Sequence, residues 1–203
     1  MFFIQEEPKI LVIGAHPDDI EIGAGGFINL LIAKHNAHVE FLILTEGTEG
    51  VTPEQPYDSG MRHAEAREGA KKLGVSRENV TVLNFLDCQL HNYGHQIIRA
   101  IEAHLHHQNG KARFDVVITH SPEDVHADHR VAHESTLSAV RNFHGTVLGY
   151  QAPNTKPNGF RPTFFVKLDP KTIKRKISAL QAHRSQQSKP FMHTQQTLGL
   201  ATN

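Results

Sequence analysis

The chain has 203 residues, 38% of them hydrophobic and 21% charged, with 21 Lys and Arg balanced by 21 Asp and Glu. That length suits one mid-sized domain able to bury most of its surface, and the charge balance argues against both a basic nucleic-acid binder and an acidic tail. Cys88 stands alone and cannot make an internal disulfide, no apolar run approaches the ~20 residues of a membrane span, and MFFIQEEPK lacks the basic and apolar regions of a signal peptide, so a cytoplasmic protein without a membrane span is expected.

Residues 9–14 (KILVIG) are a short continuous apolar run, as expected of a strand covered on both faces. A helix is expected over 22–34, where Ile22, Phe27, Ile28, Leu31 and Ile32 are too continuous for a surface helix. The second strand is 38–44 (HVEFLIL), and the loop after it, 45–59, is long enough to have a task. A helix over 60–73 ends at Gly74, placed for a left-handed C′ residue. The strand 80–84 (VTVLN) leads through the polar loop 85–93 to a helix over 95–108, with Ile97, Ile101 and Leu105 on one face and His104, His106 and His107 on a solvated one.

A fourth strand is expected over 114–119 (FDVVIT), a loop over 120–125, and a helix over 126–141. The last strands are read at 146–151 and 163–168, and a final helix opens at Asp169-Pro170, an N-cap followed by proline at N1. Ile173, Ile177 and Leu180 give that helix its inward stripe, and 183–203 read as polar and irregular. Successive strand-then-helix units imply an α/β fold, a mostly parallel sheet with right-handed crossovers and helices on both faces. Ligands of such sheets bind outside the carboxyl ends of the strands, so the loops that begin at His16, Thr45, Asp87 and His120 are expected on one edge.

Sixteen histidines make metal binding worth testing. After the first strand, Gly14 and Ala15 are followed by His16, Pro17, Asp18 and Asp19, where a dinucleotide loop would need G-x-G-x-x-G. Two carboxylates there would repel a pyrophosphate, whereas imidazole and carboxylate are common zinc ligands. The second cluster is His126-Ala127-Asp128-His129. With a helix starting near His126, the two histidines are i and i+3 neighbours that could supply one metal ligand and one histidine behind it. Taken singly, an HxxH pair is an ordinary surface or core feature and Asp-Asp after a strand an ordinary N-cap. Their joint placement on one sheet edge favours a metal site.

Ala15-His16-Pro17-Asp18-Asp19, with Glu21 and Gly25-Gly26 downstream, together with His126-x-Asp128-His129, resembles the family of zinc-dependent N-acetylglucosaminyl de-N-acetylases, the PIG-L or LmbE-like family. Arg62-x-x-Glu65-Ala66 with Leu73-Gly74-Val75, and Lys176 to Gln186 ending in His183-Arg184-Ser185-Gln186, are similar to the family's second and C-terminal helices. The resemblance covers roughly residues 9–187 and implies a single-domain Rossmann-like sheet spanning 1–203.

The resemblance implies His16, Asp19 and His129 as metal ligands and Asp18 as the general base that takes a proton from water as it attacks the amide carbonyl. An unliganded carboxylate is the better proton acceptor of the two. His126 is similar to the family's stabilising histidine, a hydrogen-bond donor to the oxyanion or the leaving amine, with Asp128 holding its other nitrogen. Arg62 is similar to a residue that contacts substrate, against the plain alternative of a surface arginine.

Two departures stand out: Ile20 separates Asp19 from Glu21 where Glu commonly follows directly, as in the branch that includes deacetylases of bacillithiol-type precursors, and Ala127 stands where proline is frequent. His63, His91, His133, His144 and His193 read as structural or exposed, His120 as more often an ordinary residue before the loop than one behind the ligands, and His183 as either a helix-surface residue or part of the site edge.

The expected activity is metal-dependent removal of an N-acetyl group from an amino sugar or its conjugate, a small-molecule substrate, with loops 45–59 and 85–93 lining the pocket. Zinc is the expected ion, ferrous iron suits the same donors, and a homo-oligomer is compatible. A sugar- or nucleotide-binding module with a structural metal is the alternative, distinguished by binding without acetate release. A phosphoesterase would call for two metals.

Overall fold

A computed structural model describes residues 6–49, 59–106, 112–156 and 159–202. Five strands, β1 (Lys9–Gly14), β2 (His38–Thr45), β3 (Val80–Phe85), β4 (Val116–His120) and β5 (Thr146–Tyr150), form one sheet in the order β3-β2-β1-β4-β5. Every pairing is parallel. The helices are α1 (Asp19–Gly23), α2 (Gly25–His35), α3 (Ser59–Leu73), α4 (Gly94–Leu105), α5 (Ala127–Ala139), α6 (Pro170–Leu180) and α7 (Thr194–Thr202).

The apolar runs are continuous because both sheet faces are covered, and their residues divide with the period of two that strands impose. Ile10, Val12, Phe41 and Ile43 point to one face, with Ile28 and Leu31 of α2, Ala66 and Leu73 of α3 and Ala179 of α6. Leu11, Ile13, Leu42 and Leu44 point to the other, against Ile97, Ile101 and Leu105 of α4 and Ala132 and Ala139 of α5. The chain leaves β1 toward the first layer and β4 toward the second. A crevice therefore opens at the carboxyl ends of these neighbouring strands, the switch point where such sheets bind ligands. Among the described residues no helix is long and apolar enough to cross a membrane.

The strands at 9–14, 38–44, 80–84, 114–119 and 146–151 form with shifts of one or two residues at their ends. Gly74 takes φ +102° after α3, and Asp169 caps α6 by accepting a 2.7 Å hydrogen bond from the Thr172 N–H. Three expectations are corrected. The helix read over 22–34 is two helices, broken at Ala24. The glycines around the break admit other elements: a Cβ on Gly23 would lie 2.1 Å from the Tyr150 ring, and one on Gly26 2.5 Å from Leu168.

The strand read at 163–168 does not form. Its apolar residues cover α2 instead: Phe164 meets Phe27 edge to face at 5.6 Å and Leu168 fills the space over Gly26, while Phe165 is exposed. The stretch 183–203 is not irregular. It holds 3-10 turns at Arg184–Gln186 and Pro190–Met192, then α7. Local bonds such as Gln186 N–H to His183 O (3.0 Å) and Met192 N–H to Lys189 O (3.0 Å) satisfy a backbone that the polar sequence leaves without a sheet partner. Residues 50–58 of the loop read at 45–59, and His107 with the end of the helix read at 95–108, lie outside the described residues.

Candidate metal centre and active site

The turn after β1 is tied down from both neighbouring strands. The Ala15 carbonyl accepts 2.9 Å hydrogen bonds from both the N–H and the hydroxyl of Thr45, and the Ala15 N–H donates to His120 Nε2 at 3.0 Å. The His16 N–H in turn donates to Asp19 Oδ2 at 2.7 Å, which fixes that carboxylate beneath the turn. Asp18 occupies the N-cap position of α1, yet its side chain makes no capping bond. Its carboxylate is thereby free for other work.

His126 is the N-cap of α5, not its first turn, and its Nδ1 accepts a 3.2 Å hydrogen bond from the Asp128 N–H. Its ring still stacks on His129, with centroids 4.6 Å apart. The expected pairing of the Asp128 carboxylate with His126 is replaced: Asp128 Oδ2 accepts from the Cys88 N–H (2.7 Å) and Oδ1 from the Leu90 N–H (3.2 Å), and Oδ2 also lies 3.4 Å from His16 Nε2. The reason is local. At the N-cap the helix's first free N–H groups need an acceptor, and the ring supplies it.

Loops that are 113 residues apart in the chain converge at three donor atoms. His16 Nδ1 lies 3.1 Å from Asp19 Oδ2, His129 Nε2 lies 3.2 Å from Asp19 Oδ1, and the two ring nitrogens are 3.3 Å apart. Ligand atoms about 2.0–2.1 Å from a tetrahedral zinc would stand about 3.3–3.4 Å from one another, so the triangle matches a metal's donor spacing. Each ring turns its remote nitrogen to a carboxylate: His16 Nε2 is 2.9 Å from Asp87 Oδ1, and His129 Nδ1 is 3.0 Å from Asp124 Oδ2. Such carboxylates fix the ring's orientation and raise its basicity toward a metal. By donor type, spacing and backing, the residues present fit a divalent cation.

The electrostatics agree. Burial pulls the His129 pKa down, but Asp19 and Asp124 outweigh it and hold the ring up at about 9. His16 is also raised: burial opposes its charge, and Asp19, Asp128 and Asp87 more than compensate. The cluster is a field that favours positive charge, whether proton or metal. His126 goes the other way, lowered by burial and by His16 and His129. With Nδ1 accepting from the backbone, a neutral His126 carries its proton on Nε2. His120, fully buried and pushed down to about 4 chiefly by burial, sits behind the donor triangle, 3.4 Å from Asp19 Oδ2 and stacked on His129 at 4.1 Å, the less favoured of its two sequence readings.

Arg62 is no surface arginine. It is 2% exposed on α3 with Nη2 3.6 Å from Asp18 Oδ2. Gly47, at φ +65°, makes room for it, since a Cβ there would lie 3.0 Å from Arg62 Nη2 and 2.6 Å from Pro17. His16, Asp18, Asp19, Arg62, His126 and His129 all line one pocket, which Gly47, Asp87 and Cys88 of the two expected loops also border. Asp128 stands behind it, fully buried.

Other residues of this neighbourhood are given no role, or an open one, by the sequence. Asp87 and Asp124 back the two histidines, and each could have been suspected only as a carboxylate in a loop on the correct sheet edge. His183 turns out fully buried, 3.3 Å from Glu21. Glu65 and Ser185, which the resemblance places on the family's second and C-terminal helices, hold Arg62 from behind, and Gln186 lines the pocket with Lys189 and Phe191, two residues no motif marks.

A family model described as GlcNAc-PI de-N-acetylase, PIG-L, matches residues 11–140. The chain is 31% identical over 180 residues to the uncharacterized deacetylase YaiS of Escherichia coli K12, covering 87% of this chain and 90% of that protein. It is 29% identical over 195 residues to the diacetylchitobiose deacetylase of Thermococcus kodakarensis, covering 88% of this chain and 70% of the relative. Among solved structures, the N,N′-diacetylchitobiose deacetylase of Pyrococcus horikoshii, complexed with an inhibitor, superposes with a TM-score of 0.75 at 26% identity over 92% of this chain and 76% of that one.

Proposed function

Because the chain belongs to the GlcNAc-PI de-N-acetylase (PIG-L) family, we propose that its pocket hydrolyses the N-acetyl group of an amino sugar or its conjugate, releasing acetate and the free amine. The observation that carries this reading is the contrast within one dipeptide. Asp19 is committed to the donor triangle, while Asp18 is 5% exposed, outside the triangle and beside Arg62.

His16, Asp19 and His129 would hold the ion. A divalent cation among these donors supplies Lewis-acid polarisation of the carbonyl and brings water's pKa toward neutrality; zinc is the assignment, and ferrous iron suits the same ligands. Asp18 accepts a proton from the water that attacks the amide carbon and passes it to the nitrogen as the C–N bond breaks. His126 donates its Nε2 proton in a hydrogen bond to the carbonyl oxygen as charge develops there. Asp128 acts on His16, with its carboxylate anchored by the Cys88 and Leu90 N–H groups. Arg62 keeps Asp18 in place and presents its remaining N–H groups to the sugar; its Nε has no hydrogen-bond partner among the described residues.

The test is acetate release by the metal-loaded protein from N-acetylglucosamine, N,N′-diacetylchitobiose, UDP-N-acetylglucosamine and O-linked N-acetylglucosaminides. Stoichiometric acetate and amine from any of them is the expected result. Saturable binding of these compounds without acetate would instead identify a binding module and overturn the reading.

A further inference from the structure

The turn after α6 is more ordered than its sequence requires. The Ser185 N–H donates to Glu65 Oε1 at 2.8 Å and its hydroxyl donates to Glu65 Oε2 at 2.5 Å. That hydroxyl also accepts from Arg62 Nη1 at 3.2 Å and from Gln186 Nε2 at 3.2 Å. A serine hydroxyl has one proton and two lone pairs, and all three are used here. Arg62 Nη1 additionally lies 3.5 Å from Glu65 Oε2, while Nη2 reaches toward Asp18. One edge of the guanidinium is therefore gripped by Glu65 and Ser185, and the other is aimed at the base.

The turn is itself pinned from below. His183, fully buried, lies 3.3 Å from Glu21 of α1, which is 1% exposed, and neither side chain has a hydrogen-bond partner among the described residues. The contact joins the turn to the helix that begins at Asp18-Asp19, and both side chains are sealed from solvent. Gly69 of α3 leaves the gap that the pair occupies, since a Cβ there would lie 2.5 Å from Glu21 Oε1 and 2.8 Å from His183 Nε2.

We propose that the turn His183–Gln186 is a positioning element of the active site: Ser185 and Glu65 hold the Arg62 guanidinium against Asp18, and the buried Glu21–His183 contact holds the turn. The proposal rests on the deacetylase reading of the same pocket and gives the C-terminal turn a part in it. Ser185 and Glu65 touch neither the reacting atoms nor the donor triangle. Their effect must run through Arg62, and this separates a positioning role from a structural one.

The experiment is a double-mutant cycle on kcat/KM, using the metal-loaded full chain and whichever member of the acetate-release panel the wild type turns over. Ser185→Ala is expected to lower kcat/KM about tenfold in the wild-type background and less than about twofold in an Arg62→Gln background, a coupling within the range that contacting residues show. Ser185→Thr, which restores the hydroxyl, is expected to recover most of the loss. Equal fold-losses in the two backgrounds, or no loss in either, would overturn the proposal. If Ser185→Ala does not fold, Glu65→Gln is carried through the same cycle with the same criteria. A wild type that releases acetate while the losses are additive overturns this inference alone, whereas a wild type that releases none from the whole panel overturns the functional reading beneath it.

Discussion

Asp18 and Asp19 are neighbours in the chain, but they face two walls built on different principles. On the histidine side, Asp19 meets the rings of His16, His129 and His120 at 3.1–3.4 Å. Two of those rings are backed by carboxylates from the loops after β3 and β4. On the arginine side, Asp18 meets a single guanidinium at 3.6 Å, and that group is held from α3 and from the turn after α6. A crowded set of nitrogen and oxygen donors suits a cation. A carboxylate beside one fixed hydrogen-bond donor keeps an oxygen open to water. Two identical side chains thus stand in different surroundings, the condition under which pairs of acids in active sites take different roles.

The strongest way to break this contrast is to change each aspartate in turn. Asp18→Asn keeps shape and removes the proton acceptor, so kcat should fall by roughly 10²–10⁴-fold. Bound metal, measured by elemental analysis, should stay at the wild-type ratio. Asp19→Ala and His129→Ala should do the reverse, losing metal first and activity as a consequence. Full activity in Asp18→Asn, or undiminished metal in either of the other two, would erase the division between the walls.

A smaller effect sharpens the histidine side. Asp87 touches His16 through the nitrogen turned away from the donor triangle, at 2.9 Å. Asp87→Asn should weaken metal affinity by roughly 10–100-fold, the usual effect of removing a carboxylate behind a ligating histidine. Titration with a competing chelator measures it. At saturating metal the variant should regain most of its activity, because Asp87 acts through the ring and not on the substrate.

The two walls also differ in how far the sequence discloses them. The histidine side is legible because its candidate donors fall in short motifs directly after continuous apolar strands, and a parallel sheet delivers all such loops to one edge. Asp87 and Asp124 escape because each is a single carboxylate whose meaning depends on a ring brought in by another loop. The arginine side is legible only through the family resemblance that singles out Arg62, Glu65 and Ser185. Nothing in the sequence tells that Arg62 is buried, and its burial becomes tolerable only with Glu65 beside it and Ser185 arriving from 123 residues away. The tail misleads in the same manner: Phe164 and Leu168 give an apolar run that looks like a strand, while their partners, Phe27 and Gly26, lie in a helix far earlier in the chain.

Gly69 tests the arginine side at its base. It reads as an unremarkable glycine within a 15-residue helix, where alanine would ordinarily be the better helix former by about 1 kcal/mol. Here the added methyl would enter the space of Glu21 and His183, which are 1% and 0% exposed. Overpacking of that kind costs about 1–3 kcal/mol, enough to outweigh the helical gain, and for a chain of this size each kcal/mol lowers Tm by roughly 2–4 °C. Gly69→Ala should therefore melt a few degrees below the wild type in a metal-saturated scan, while its metal content stays stoichiometric because the donor triangle is built from other loops. A rise in Tm would mean that the Glu21–His183 contact yields freely and that the wall behind Asp18 is softer than its burial implies.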